Sequence, residues 1–235
     1  MTGALPAITP LGDRALVVRL GDQIGDEVFE RVRAAHHRLV GAHPAITDLV
    51  PGYTSVTVHY DPVAVGNGTG TPPHRALAHA LTDALRALDQ APALEARTVE
   101  IPVCYDGALA PDIDRVASHA GLDAADVIVL HAAATYTVQM IGFTPGFPYL
   151  SGLDPRLATP RRAEPRTRVV AGSVGIGGAQ TGIYPLATPG GWNLIGSTPL
   201  SLFDPARKPA ALLRIGDQVR FAAIRRERYD AMVRG

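Results

Sequence analysis

The side chains best suited to chemistry lie in three glycine- and proline-dense segments, MIGFTPGFPYL (residues 140–150), VAGSVGIGGAQTGIYP (170–185) and PGGWNLIGSTP (189–199). Gln180 and Tyr184 offer an amide and a phenol that could meet a planar polar ligand, or could equally satisfy the backbone of the scaffold carrying them. Phe147, Tyr149 and Trp192, with Phe143, either line an apolar pocket or fill a core, since both are made of the same material. Pro145, Gly146, Gly175, Gly177 and Gly190 punctuate these segments. Glycine serves where φ is positive or where another chain or a ligand comes very close, and proline pins φ near −65°. Loops on a rigid β scaffold carry binding groups, but barrel corners that need Gly and Pro for geometry alone fit this composition as well. The connecting stretch PRRAEPRTR (160–168) holds four guanidiniums. Arg166 and Arg168 are candidates to fork onto a carboxylate or phosphate, whereas Arg161 and Arg162 read as ordinary surface arginines.

Several familiar chemistries do not fit. The glycine run 172–180 lacks the Gly-Lys-Ser/Thr ending of a phosphate loop, and no G-x-G-x-x-G opens a helix after it. Ser173 follows Gly172 directly, so the G-x-S-x-G spacing of a hydrolase elbow fails. The eight histidines are scattered without an H-E-x-x-H, and a lone cysteine, Cys104, excludes an internal disulfide and multi-cysteine zinc sites. Cys104 reads as a small buried hydrophobe. A formal net charge of 0 leaves no global basic field for nucleic acid or an anionic membrane. With no secretory-type start and no apolar run of the ~20 residues that span a bilayer, the expectation is a soluble cytoplasmic protein without nucleic-acid or membrane partners.

The elements that must position these residues divide in two. Residues 15–20 read as a strand and 27–40 as a helix with Val28, Val32, Ala35 and Leu39 on one face, capped by Asp26 and ended by Gly41. Residues 46–50 and 55–60 read as strands, the second alternating Val56, Val58 and Tyr60 with Thr57 and His59. A loop at 63–73, a helix at 74–88 and a strand at 98–103 complete a strand-helix-strand-strand-helix-strand order. That order suits a ferredoxin-like α+β domain of the split β-α-β type over residues 1–95, although the last strand could equally start the next domain. A hinge is expected at 91–96. In residues 96–235, two short helices (111–120, started near Asp112, and 124–133) precede short strands at 136–143, 168–174, 181–184, 192–195, 212–215 and 218–224, the pattern of a closed or half-closed barrel. The RRER run at 225–228 reads as solvated charge.

The three segments, with IPVCYDG at 101–107, LGDRAL at 11–16 and VPGYTSVTVHYDP at 50–62, resemble the family of 5-oxoprolinase B subunits, also labelled KipI or allophanate hydrolase subunit 1. The likeness spans nearly the whole chain. It implies that residues 96–235 form a cyclophilin-like β-barrel of the carboxyltransferase type. The chain would work with companion C and A subunits to open 5-oxo-L-proline to L-glutamate at the expense of ATP. ATP with magnesium would be bound mainly by the partner subunits, with no cofactor intrinsic to this chain. Its share would be a small-molecule cleft containing Pro145, Gly146, Phe147, Tyr149, Arg166, Arg168, Gly175, Gly177, Gln180, Tyr184, Gly190 and Trp192, where backbone amides of the glycine segments stabilise an oxyanion or carboxylate. No catalytic acid or base is assigned. The resemblance also admits two alternatives, a histidine-kinase inhibitor module and a component for amide or carboxyl transfer on urea-derived substrates. Many family members carry arginine where this chain has Ser197, so that position either bears on the substrate or lies idle on the surface.

Overall fold

The computed structural model describes residues 6–66, 70–86, 88 and 95–234. The expected hinge at 91–96 falls mostly outside them, as does the centre of the 63–73 loop. The chain divides into two compact units, Met1–Glu95 and Ala96–Gly235.

The first unit contains β1 (Ala7–Leu11), β2 (Ala15–Arg19), α1 (Asp26–Leu39), β3 (Ile46–Pro51), β4 (Ser55–Tyr60) and α2 (Pro73–Ala84). Its sheet is antiparallel, in the order β1-β2-β4-β3. Alternation along β2 and β4 turns Leu16, Val18, Val56, Val58 and Tyr60 to one face, where Val32, Ala35 and Leu39 of α1 and Leu77 and Leu81 of α2 close over them. Phe29, rather than Val28, begins the fully buried stripe of α1, and Gly25 precedes the helix in the cap position without a side-chain hydrogen bond, so Asp26 is its first residue and not its cap.

Thr98–Val103 does not complete this sheet. The fourth place belongs to β1, which the sequence conceals because its burial is low along its whole length and Pro10 interrupts it. Thr98–Val103 is instead β5 of the second unit, pairing in parallel with the last strand and burying Ile101 and Val103 in the second core.

After β5 (Thr98–Val103) come α3 (Ile113–Ala120), α4 (Ala124–Ala133), β6 (Thr135–Ile141), β7 (Pro148–Ser151), β8 (Arg166–Val169), β9 (Ser173–Gly177), β10 (Gln180–Ile183), β11 (Thr188–Gly190), β12 (Asn193–Ser197), β13 (Gln218–Ala223) and α5 (Arg226–Arg234). Seven strands form one sheet in the order β12-β9-β10-β7-β6-β13-β5, while β8 and β11 make a separate ribbon. The sheet curls until its edges meet. Cys104, just past β5, and Ser197 at the end of β12 exchange backbone hydrogen bonds of 2.8 and 2.9 Å. Gly196 permits this approach, because a Cβ there would stand 2.7 Å from Val103 Cγ1 and 3.1 Å from the Cys104 carbonyl oxygen. Ser197 is therefore buried at the closing seam, its hydroxyl 3.1 Å from that of Tyr229 on α5. The unit is a mixed α+β structure around a nearly closed, barrel-like sheet. Residues 212–215 are not a strand. The 168–174 stretch is split between β8 and β9 by a turn at Gly172, whose φ is 86°.

A polar chain crosses the barrel core. The Thr181 hydroxyl donates to the Gly175 carbonyl at 3.1 Å, so its oxygen accepts from His131 Nε2 at 3.0 Å, and His131 Nδ1 accepts from the Tyr105 hydroxyl at 2.8 Å. Every member is neutral. His131 is fully buried, stacks on Phe221 at 4.6 Å, and burial pushes its pKa down to about 3.

Two outcomes follow from the seam and the buried imidazole. Gly196→Ala should lower stability by about 1–3 kcal/mol through overpacking, read as a lower urea midpoint. Between pH 6.5 and about 3 the unfolded chain binds a proton at His131 that the folded chain refuses. Stability should therefore fall with pH across that window, by up to ~1.4 kcal/mol per unit. His131→Gln should show a shallower decline than the parent when urea unfolding is compared at pH 7 and pH 5, and equal slopes would refute this origin.

Candidate functional site

The aromatic side chains singled out in the sequence converge on one face of the second unit. Phe147 precedes β7, Tyr149 lies on it, Tyr184 follows β10, and Trp192 stands between β11 and β12. Phe147 is central, with ring centroids 4.9 Å from Tyr149, 5.2 Å from Tyr184 and 5.4 Å from Trp192, all edge-to-face. Such arrangements set the positive ring edge of one residue against the negative face of the next. With Phe143, Pro165, Pro189, Gly190 and Gly191 they border a recess of ≈ 260 Å³, and Arg161 and Arg162 complete its lining.

Three glycines seat the rings. A Cβ on Gly177 would lie 2.5 Å from Trp192 Nε1, one on Gly182 3.1 Å from the Phe147 ring, and one on Gly190 2.5 Å from the Tyr184 hydroxyl oxygen. None of the three has positive φ. Their role is close approach of rings to backbone, not turn geometry. Gly175 and Gly177 also lie within β9, paired across the ladder to Gly182 and Gln180, so they are not loop amides open to a ligand.

The arginines sort differently from the sequence reading. Arg161 and Arg162 line the recess, whereas Arg166 and Arg168 do not. The cause is Asp112. It stands at the N-terminal boundary of α3 but makes no side-chain cap to that helix. Its Oδ1 accepts from Arg162 Nη1 at 3.0 Å and Arg166 Nη2 at 2.8 Å, and its Oδ2 accepts from the Leu194 backbone N–H at 2.7 Å. Burial, the largest single influence, pushes its pKa up; the Arg166 and Leu194 hydrogen bonds and the two guanidinium charges together outweigh it and hold the carboxyl below its ordinary value. Arg166 is thus a strut. Arg162 is pinned at its main chain too, its N–H donating to the Gly191 carbonyl at 2.7 Å. Arg161 sits over Trp192, with Cζ 5.8 Å from the ring, a cation–π arrangement.

Pro145 and Gly146 lie in the turn before β7 and Gln180 at the start of β10, all outside the lining. Gly146 packs against Phe203. Phe143, at the recess, has φ 67° and is 61% exposed. The Thr144 N–H closes back on the Gly142 carbonyl at 2.8 Å around it. A bulky residue held left-handed and exposed marks stored strain of the kind that accompanies function.

What the recess can do is bind. Tyr184 and Tyr149 both have raised pKa values, mainly from burial, with the Arg161 charge pulling the other way, and stay phenols at neutral pH. Among the described residues no Asp, Glu, His, Lys or Cys lines it, so it holds no group that titrates near pH 7. No group of three or more metal-ligating side chains occurs among the described residues.

Comparison with known proteins places these features in context. The family described as carboxyltransferase domain, subdomain C and D, matches residues 6–213. The chain is 42% identical over 229 residues to the 5-oxoprolinase B subunit of Bacillus subtilis, covering 95% of each chain. It is 46% identical over 213 residues to the protein of that name from Escherichia coli O157:H7, covering 90% of this chain and 93% of the relative. Among solved structures it resembles the Kluyveromyces lactis urea carboxylase at a TM-score of 0.73 and 22% identity, over 97% of this chain and 22% of that one, a likeness of fold alone.

If Asp112 is what sets the recess wall, Asp112→Ala should cost roughly 3 kcal/mol by leaving two guanidiniums without their counter-charge. Asp123→Ala, which removes only the 2.8 Å cap to the Asp126 N–H, should cost ~1 kcal/mol. Equal urea midpoints for the two variants would contradict the assignment.

Proposed function

The chain belongs to the family of 5-oxoprolinase B subunits, within the carboxyltransferase domain (subdomain C and D) proteins, and from that membership we propose that it is the substrate-holding component of an ATP-dependent 5-oxoprolinase. The reaction opens 5-oxo-L-proline to L-glutamate. A lactam carbonyl is a poor electrophile; phosphorylation of its oxygen by ATP, releasing ADP, would activate the carbon so that water adds, the ring C–N bond breaks with the nitrogen taking a proton, and phosphate is released with L-glutamate. The sequence has no Gly-Lys-Ser/Thr phosphate loop, and among the described residues no group of three or more metal-ligating side chains occurs. In this reading ATP and magnesium are bound mainly by the companion C and A subunits, in the cytoplasm, and no residue role here depends on them. The finer fold names, a ferredoxin-like first unit and a cyclophilin-like barrel in the second, belong to the same reading.

The observation that carries the proposal is the recess itself. It offers aromatic walls and cationic groups, which can hold and orient a small ring, but among the described residues no group that titrates near neutral pH. In this reading another chain completes the site. Mixing this protein with its companion subunits should release glutamate from 5-oxoproline only when ATP is present, and omitting this chain should abolish release. Undiminished turnover without it would remove the proposal.

A further inference from the structure

The recess lining is electrically lopsided. It contains two guanidiniums, Arg161 and Arg162, and among the described residues no acidic side chain. Arg161 makes no ion pair among the described residues; its charge is set over the Trp192 ring. Arg162 is half-committed. Its Nη1 is tied to Asp112 and its main-chain N–H to Gly191, which fix it at the recess, while its side chain stays 32% exposed. A carboxylate suits the pair best, because two oxygens can be shared between the exposed part of the Arg162 guanidinium and the neighbouring Arg161 fork. At ≈ 260 Å³ the recess lies below the roughly 300–1,000 Å³ of sites for drug-sized ligands, so the ligand is small.

We propose that Arg161 and Arg162 form a carboxylate subsite that selects a small ring acid, its carboxylate on the two guanidiniums and its ring against Phe147, Tyr184 and Trp192. This rests on the reading above that the ring is 5-oxoproline, whose carboxylate and lactam carbonyl lie on opposite sides of the ring nitrogen. Anchoring the carboxylate then leaves the lactam carbonyl clear of the guanidiniums. The two arginines are specificity determinants and do no chemistry on the amide.

Trp192 is the sole tryptophan of the chain, so its emission reports recess occupancy directly. The chain, alone and with its companion subunits, is titrated with 5-oxo-L-proline and with 5-oxo-L-prolinamide, the same ring with the negative charge removed. The acid should change the emission saturably and the amide should bind at least tenfold more weakly. Arg161→Gln and Arg162→Gln should each weaken acid binding about tenfold, bringing it toward the amide, while Arg225→Gln on the exposed surface changes nothing. In the assembled complex, Arg161→Gln should raise KM for 5-oxoproline with kcat little altered. Because Arg162→Gln also strips Asp112 of a partner, Arg161→Gln decides the matter if the former unfolds. Equal affinity for acid and amide, no saturable change in either preparation, or full affinity in Arg161→Gln overturns the subsite. Should the parent complex fail to turn over 5-oxoproline while the chain still prefers acid to amide, the subsite stands and the proposed reaction falls.

Discussion

Much of the second unit answers to one buried carboxylate. Asp112 sits where α3, the segment leading into β8, and β12 meet, and its two oxygens are claimed by one element from each side. A carboxylate at 4% exposure cannot remain charged in isolation. It therefore draws Arg162 and Arg166 inward, and with them the chain that walls the recess. Nearby, Asn193 binds the same layer to the barrel, its amide donating to the carbonyls of Pro160 and Ile176 while Arg115 donates to its oxygen. The recess is thus held by polar contacts behind it and by aromatic packing within it.

The barrel supplies the rigidity that such a wall needs. Closing β5 against β12 at Cys104 and Ser197 removes the open edges that a seven-stranded sheet would otherwise present. The buried Tyr105–His131–Thr181 chain then fixes side chains from α4 and β10 against each other inside. A neutral, fully satisfied network of this kind specifies one packing without the desolvation cost of buried charge. The aromatic cluster rests on that scaffold through glycines whose missing side chains make room for rings.

In the proposed function the work is divided between chains. Among the described residues the recess holds no near-neutral acid or base, and Phe143, exposed and left-handed, stands at its border. On that proposal its aromatic walls and guanidiniums would supply orientation, which is itself a large part of catalysis when the reacting groups come from elsewhere.

Residue spacing alone determined the clearest local elements. The three- and four-residue apolar steps of α1 and α2 and the alternation of β4 are written in the sequence because each helix or strand must show one face to a core. Aromatics set among glycines pointed to Phe147, Tyr149, Tyr184 and Trp192 as a group, but whether they lined a pocket or filled a core was not legible; the structure makes them a buried cluster that also borders the recess. Tertiary structure decided what depends on long-range partners. Thr98–Val103 joined the second sheet because its parallel mate lies 120 positions further on at β13. Arg162 faces the recess while Arg166 braces the wall, because Asp112, about 50 residues earlier, takes both. Ser197 became a seam residue through its pairing with Cys104. Spacing along a chain encodes which face of an element is apolar. It does not encode which distant charge or strand edge will be waiting there.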